Sequence, residues 1–168
     1  MKKENQQIGW PKGFRSSGIS AGIKVDGSLD MALIYSDELA TAAGVFTTNQ
    51  VCAAPVKLCR AHLKEPQARA IVVNSGVANA CTGKVGMESA RLTASLTAEE
   101  LACLTEEVLV CSTGKIGPQL PMEKMEPGLA TLVNSLAVDQ MDATAQAIMT
   151  TDTRSKQVVR DIEVGGLS

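Results

Sequence analysis

Apolar positions along the chain fall into two periods. Met31-Ala32-Leu33-Ile34-Tyr35 is a compact apolar run between Asp30 and Ser36-Asp37, which predicts a buried strand. Gly44-Val45-Phe46-Thr47-Thr48 is β-branched and aromatic, predicting a second strand that stops at Asn49. Pro55 suits the first turn of a helix reaching about Leu63, with Val56, Cys59 and Leu63 on one face.

Two later units share a plan. Ala70-Ile71-Val72-Val73 and Val108-Leu109-Val110 are apolar strands, and each leads into a Thr-Gly-Lys-aliphatic-Gly string, at Thr82 to Gly86 and Thr113 to Gly117. Helical spacing comes next both times, through Met87, Ala90, Ala94, Ala98 and Leu101, then through Met122, Met125, Leu129 and Leu132. Thr97-Ala98-Glu99-Glu100 fits a capping box and predicts a restart of the first of these helices. A further helix is expected from Asp139 to Met149, capped by Asp139 or Asp142, with Met141, Ala145 and Ile148 on one side. Gln157 to Val164 alternates like an exposed strand and runs into Gly165-Gly166.

Residues 1–12 read as a polar arm, and Gly13 to Gly18 as turn-forming. No linker of proline, serine or charge divides residues 13–168, which are therefore expected to form one mixed α/β unit. Periodicity leaves open whether its strands run parallel or antiparallel.

Composition narrows the partners. Sixteen Lys and Arg against eighteen Asp and Glu leave a net charge of −2, and the aromatics are only Trp10, Phe14, Tyr35 and Phe46, so neither a basic footprint nor a stacking platform for bases exists. No apolar run is long enough to span a membrane, and no apolar stretch succeeds the two N-terminal lysines as in a secretory signal. The five cysteines are odd in number, with no Cys-x-x-Cys spacing. That pattern argues against a disulfide framework or zinc site and for small buried thiols in the cytoplasm.

Histidine-based catalysis would have to use His62, the one imidazole, which is expected at a helix C-terminus facing the dipole or water. A base in this chemistry is therefore a carboxylate, a lysine or a terminal amine. Both Thr-Gly-Lys strings fail the phosphate-loop pattern, because Ala78 and Leu109 occupy the first glycine position and Val85 and Ile116 come after the lysines. Thr113-Gly114 reads either as a plain turn or as two convergent donors, a hydroxyl and an amide, for the negative oxygen of a tetrahedral acyl intermediate. Thr150-Thr151-Asp152-Thr153 reads either as a strand and turn or as hydroxyls that orient a polar small molecule.

Several of these stretches together resemble the ornithine acetyltransferase family, the glutamate N-acetyltransferases of arginine biosynthesis. They include Ala42 to Asn49, Ala54-Pro55-Val56, Ala70 to Gly76, Ala78 to Gly83, Ser112-Thr113-Gly114, Leu120-Pro121-Met122 and Ala147 to Thr153, in the family's order. The resemblance implies an αββα sandwich similar to N-terminal-nucleophile hydrolases, made by a precursor that cleaves itself into α and β chains. The new N-terminal threonine of the β chain is the nucleophile, and its amine is the base. Acetyl passes by ping-pong chemistry from N-acetylornithine to that threonine and then to glutamate. No cofactor is implied, although some members take acetyl-CoA as donor, and two copies of each chain usually form an α2β2 heterotetramer.

Residue by residue, the resemblance makes Thr113 and Gly114 the oxyanion-hole pair and Thr150 a substrate-contacting threonine, with Thr151 and Asp152 in the same motif. Asn79 and Gly83 fall on motifs without an assigned role. Val77 departs from the family, where asparagine is frequent. In the family, a Gly-Gly turn like Gly165-Gly166 precedes a substrate-binding lysine, the cleavage point and the nucleophile. This sequence is therefore expected to be most of an α chain, whose alternative fate is an inert fragment that only binds.

Overall fold

The computed structural model describes residues 11–160 together with 162 and 163. Four strands form one sheet in the order of the chain: β1 (Phe14–Ile19), β2 (Met31–Thr41), β3 (Gln67–Val77) and β4 (Val108–Lys115). β1, β2 and β3 run antiparallel, and β4 lies parallel to β3. A parallel neighbour needs a crossover, supplied here by the 19-residue helix α2 (Gly83–Leu101). The remaining helices are α1 (Ala54–His62), α3 (Met122–Asn134) and α4 (Met141–Ala147).

Strand alternation decides which side is core. Ala68, Ala70, Val72 and Asn74 of β3 are buried in step with Val108 and Val110 of β4 and with Met31 and Leu33 of β2. On this face lies α2, whose buried stripe is small (Gly86, Ser89, Ala90, Ala94, Ala98) and so allows close packing, together with Met125, Leu129 and Leu132 of α3. Each of those three large side chains is worth about 1.5–3 kcal/mol on burial. An exposed ion pair such as Arg15–Asp37 (2.7 Å) is worth about 1 kcal/mol at most. Hydrophobic burial, then, holds the layers together. On the opposite, outer face α4 packs against β1 and β2, so closely that a Cβ on Gly18 would stand 2.5 Å from the Ala143 carbonyl carbon.

Several expectations are corrected. Gly13 lies in a turn as expected, but Phe14 to Gly18 does not; residues 14–19 are β1, with Ser16 and Ser17 fully buried and the Ser17 hydroxyl donating to Leu132 O at 2.8 Å. Gly44 to Thr48 is not a strand, because the pairing of β2 ends at Thr41↔Gln67 and leaves no neighbour to continue the ladder. α2 does not restart at Thr97, whose hydroxyl donates to Thr93 O at 2.7 Å within one continuous helix. α4 begins at Met141 without a side-chain cap, leaving Asp142 in its first turn. Residues 157–160, 162 and 163 form no strand, while residues 161 and 164–168 of that segment, and residues 1–10 of the arm, lie outside the described residues. Among the described residues no helix is long and apolar enough to cross a membrane.

Candidate active site

β4 is an edge strand of the sheet among the described residues, and its backbone shows which groups face outward. Successive residues of a parallel strand direct their N–H and C=O groups to alternate sides. Val110 turns both groups away from β3, its N–H to Cys59 Sγ at 3.3 Å and its carbonyl accepting from the same thiol at 3.1 Å. His62 Nδ1 donates to Val108 O at 2.8 Å, on the same side. His62 thus lies in the last turn of α1, as expected, and its half-buried ring caps the strand edge. At the far end, Lys115 O accepts from Ala78 N–H at 2.9 Å, on the β3 side. By this alternation the Gly114 N–H points outward, beyond the part of the edge that α1 covers, and Gly114 is exposed.

Close packing shapes that end. Gly114 has φ +129°, and a Cβ there would stand 2.6 Å from Gly76 O and closer still to its carbonyl carbon. Gly76, at φ +104°, lies beneath Ile23, whose Cγ2 would be 3.1 Å from an added Cβ. The two strand ends and the 21–24 segment are thus stacked where only glycine fits.

Thr113 is half-buried and pairs in register with Ser75 on the outer face. Ser75 is fully buried, and its hydroxyl donates to Ala147 O at 2.5 Å, where α4 ends. Thr150 and Thr151 are exposed just beyond that contact. The fold thus brings Thr113, Gly114 and the end of α4, three residues before Thr150, to one corner, with Ser75 between them. Among the described residues Thr113 shares no hydrogen bond with Thr150 or Thr151. Asp152 contacts Lys156, and that partner holds its carboxyl below the usual range, so it stays ionised.

The other Thr-Gly-Lys string does different work. Thr82 Oγ1 donates to Asn79 Oδ1 at 2.7 Å, and Asn79 Nδ2 donates to Gly86 O at 2.8 Å, so these groups are spent on one another at the start of α2. A cavity of about 350 Å³ opens there, lined in part by Cys52, Lys57, Cys81 and Gly83, but by none of Thr113, Gly114, Thr150 or Thr151.

The cysteines are free thiols. Cys59 is buried as expected, Cys52 and Cys103 are half-buried, and Cys81 and Cys111 keep exposed surface. Desolvation pushes Cys59 and Cys103 up, and desolvation with Cys59 nearby pushes the Cys111 thiol up to about 11. None of these three is a ready thiolate at neutral pH. The folded chain holds these protons more tightly than the unfolded one, so the stabilisation is complete below the ordinary thiol value of 9.0 and is lost as pH rises through the folded values. Melting temperature should fall from pH 9.0 towards about 11, and less steeply in Cys111→Ala. A flat profile in the parent chain contradicts this.

Sequence reading missed the 21–30 segment. Asp30, fully buried, accepts from the N–H groups of Ala21 (2.7 Å), Ile23 (2.6 Å) and Lys24 (2.9 Å), folding this segment into a strap over the end of β3. Its one signal was an acidic residue directly before an apolar strand, which also marks an ordinary boundary.

Comparison with known proteins supplies the affiliation. The ArgJ family model matches residues 15–168. The chain belongs to the ArgJ family. Over 156 residues it is 53% identical to the arginine biosynthesis bifunctional protein ArgJ of Geobacter sulfurreducens, covering 93% of this chain and 40% of that protein. The ArgJ of Caldanaerobacter subterraneus is 51% identical over 160 residues, covering 95% and 40% respectively. The chain thus spans about 40% of the length of these curated ArgJ relatives. Its fold matches the crystal structure of ornithine acetyltransferase from Mycobacterium tuberculosis, complexed with ornithine, with a TM-score of 0.84 and 43% identity, covering 89% of this chain and 82% of that one. An ArgJ structure from Bacillus halodurans gives a TM-score of 0.79 at 37% identity, covering 85% and 75%. The mixed α/β architecture is therefore that of the ArgJ fold.

Proposed function

We propose that this chain is the α-chain part of an acetyltransferase that moves acetyl from N-acetylornithine to glutamate. It supplies the oxyanion hole through Thr113 and Gly114 and substrate contacts through Thr150 and Thr151. What supports this reading is the outward Gly114 amide, next in the chain to Thr113, at an open strand end that α1 leaves uncovered.

The chemistry is set by that pair. A threonine hydroxyl at the N-terminus of a β chain attacks the acetyl carbonyl carbon and passes its proton to its own amine. The carbonyl oxygen becomes negative and accepts hydrogen bonds from the Thr113 hydroxyl and the Gly114 N–H. Collapse breaks the C–N bond, and the ornithine amine departs with the proton. Glutamate's amine then attacks the threonine ester through a second oxyanion at the same donors; the ester C–O bond breaks, the amine's proton passes through the terminal amine to restore the threonine hydroxyl, and N-acetylglutamate leaves. These are acyl transfers between nucleophiles and require no resident cofactor; acetyl-CoA enters only as an alternative donor. The reading places the protein in the cytoplasm as an α2β2 assembly.

The test is to express the chain with a β chain beginning in threonine and to track acetyl transfer from N-acetylornithine to labelled glutamate. Mass spectrometry should find an acetylated N-terminal threonine during turnover. A complex that binds ornithine but neither transfers acetyl nor acquires it rejects the proposal and supports the binding-only alternative.

A further inference from the structure

Lys24 is held at both ends. Its backbone N–H donates to the buried Asp30 carboxylate, while its ammonium donates to Leu29 O at 2.8 Å, within the strap, and to Met149 O at 2.7 Å, 125 residues away. The strap itself is fixed to the sheet, since Asp30 N–H donates to Ile19 O and Asp30 O accepts from Ser75 N–H, both at 2.8 Å. A surface lysine ordinarily leaves its ammonium in water; this one is half-buried and spends two of its donors on backbone carbonyls.

The second of those carbonyls belongs to the peptide unit that leads into Thr150. That unit is planar and trans, so holding the Met149 oxygen on one side directs the Thr150 N–H to the other. We propose that Lys24 is a positioning residue, its ammonium fixing the Met149–Thr150 peptide plane so that Thr150 faces the corner shared with Thr113. This rests on the reading of Thr150 as a substrate contact. Ser75, donating to Ala147 O, fixes the end of α4, and the Ile148 and Met149 N–H groups turn back onto Thr144 O and Gln146 O; among the described residues, Lys24 adds the one hold on the Met149 oxygen itself, at the peptide that enters Thr150.

Lys24→Met and Lys24→Arg in the complete two-chain enzyme test the idea. Methionine keeps the apolar stem and removes the donors; arginine restores donors. Calorimetry should show N-acetylornithine binding weakened roughly 10- to 100-fold in Lys24→Met, the range expected for a lost charged hydrogen bond. Arginine should recover most of it. Hydrogen exchange of peptides covering 146–153 should quicken in the methionine variant and return in the arginine variant. Unchanged exchange in Lys24→Met overturns the clamp. Faster exchange with unaltered affinity overturns the positioning role and leaves a fold strut. If the parent enzyme turns over and Lys24→Met matches it, this proposal alone fails; if the parent neither binds nor turns over N-acetylornithine, the acetyl-transfer reading fails with it.

Discussion

Thr113→Ala in the complete two-chain enzyme should slow acetyl transfer by roughly 10²–10³-fold, the usual effect of losing one oxyanion donor. The hydroxyl it removes strengthens its hydrogen bond only as the carbonyl oxygen becomes negative, so kcat should carry the loss and KM should stay close to its parent value. Thr113→Val keeps the shape and β-branching while losing the hydroxyl, and should match alanine. Thr113→Ser keeps the hydroxyl and should recover most activity. Stability separates this effect from damage to the fold. Thr113 is only half-buried near the end of an edge strand, so its truncation should cost about 1 kcal/mol or less. Pre-steady-state acetylation of the threonine measures the step directly. A valine variant that acetylates at the parent rate removes Thr113 from the mechanism.

How far the fold is legible in the sequence depends on where the side chains spend their polarity. β3, α2, β4 and α3 are legible because their buried positions are apolar at spacings of two or of three to four, as with Val72, Ala94, Val110 and Leu129. β1 is not, because its buried centre is Ser16-Ser17 and the partner that satisfies Ser17, the Leu132 carbonyl, is 115 residues away. Val45 and Phe46 show the converse, since strand propensity without a neighbouring strand gives no strand. Val45 is fully exposed, and Phe46 instead lies under the Arg60 guanidinium, 5.4 Å from its ring.

The two Thr-Gly-Lys strings make the same point about function. Their residues are alike, yet Thr82-Gly83-Lys84 opens α2 while Thr113-Gly114-Lys115 completes β4. What separates them is the neighbour: β3 continues alongside the second as far as Val77, pairing Gly114 with Gly76. No window of sequence contains that pairing. The Asp30 strap is hidden for a similar reason, because its partners are backbone amides, which every residue but proline carries.

Gly114→Ala should be the most damaging single change at this corner. A methyl there meets the Gly76 backbone, which cannot rotate aside as a side chain could, and φ +129° adds strain of its own. The strain costs about 1–3 kcal/mol and the overlap a similar amount, so the end of β4 should move off β3 to relieve both. Moving the amide then compounds two losses: the Gly114 donor leaves its place, and the Thr113 hydroxyl beside it is misplaced, where about 1 Å of error costs on the order of 10²-fold. Activity should fall more than 10³-fold, below that of Thr113→Ala. Gly117→Ala separates the causes. It too has positive φ, at +105°, but a Cβ there meets nothing within 4 Å, so it should lose stability by about 1 kcal/mol and keep its turnover. Thermal melts and single-turnover acetylation on the three variants read the two effects separately. If Gly114→Ala behaves like Gly117→Ala, the contact with Gly76 does not set the position of the amide, and the strand-end account of the oxyanion hole is wrong.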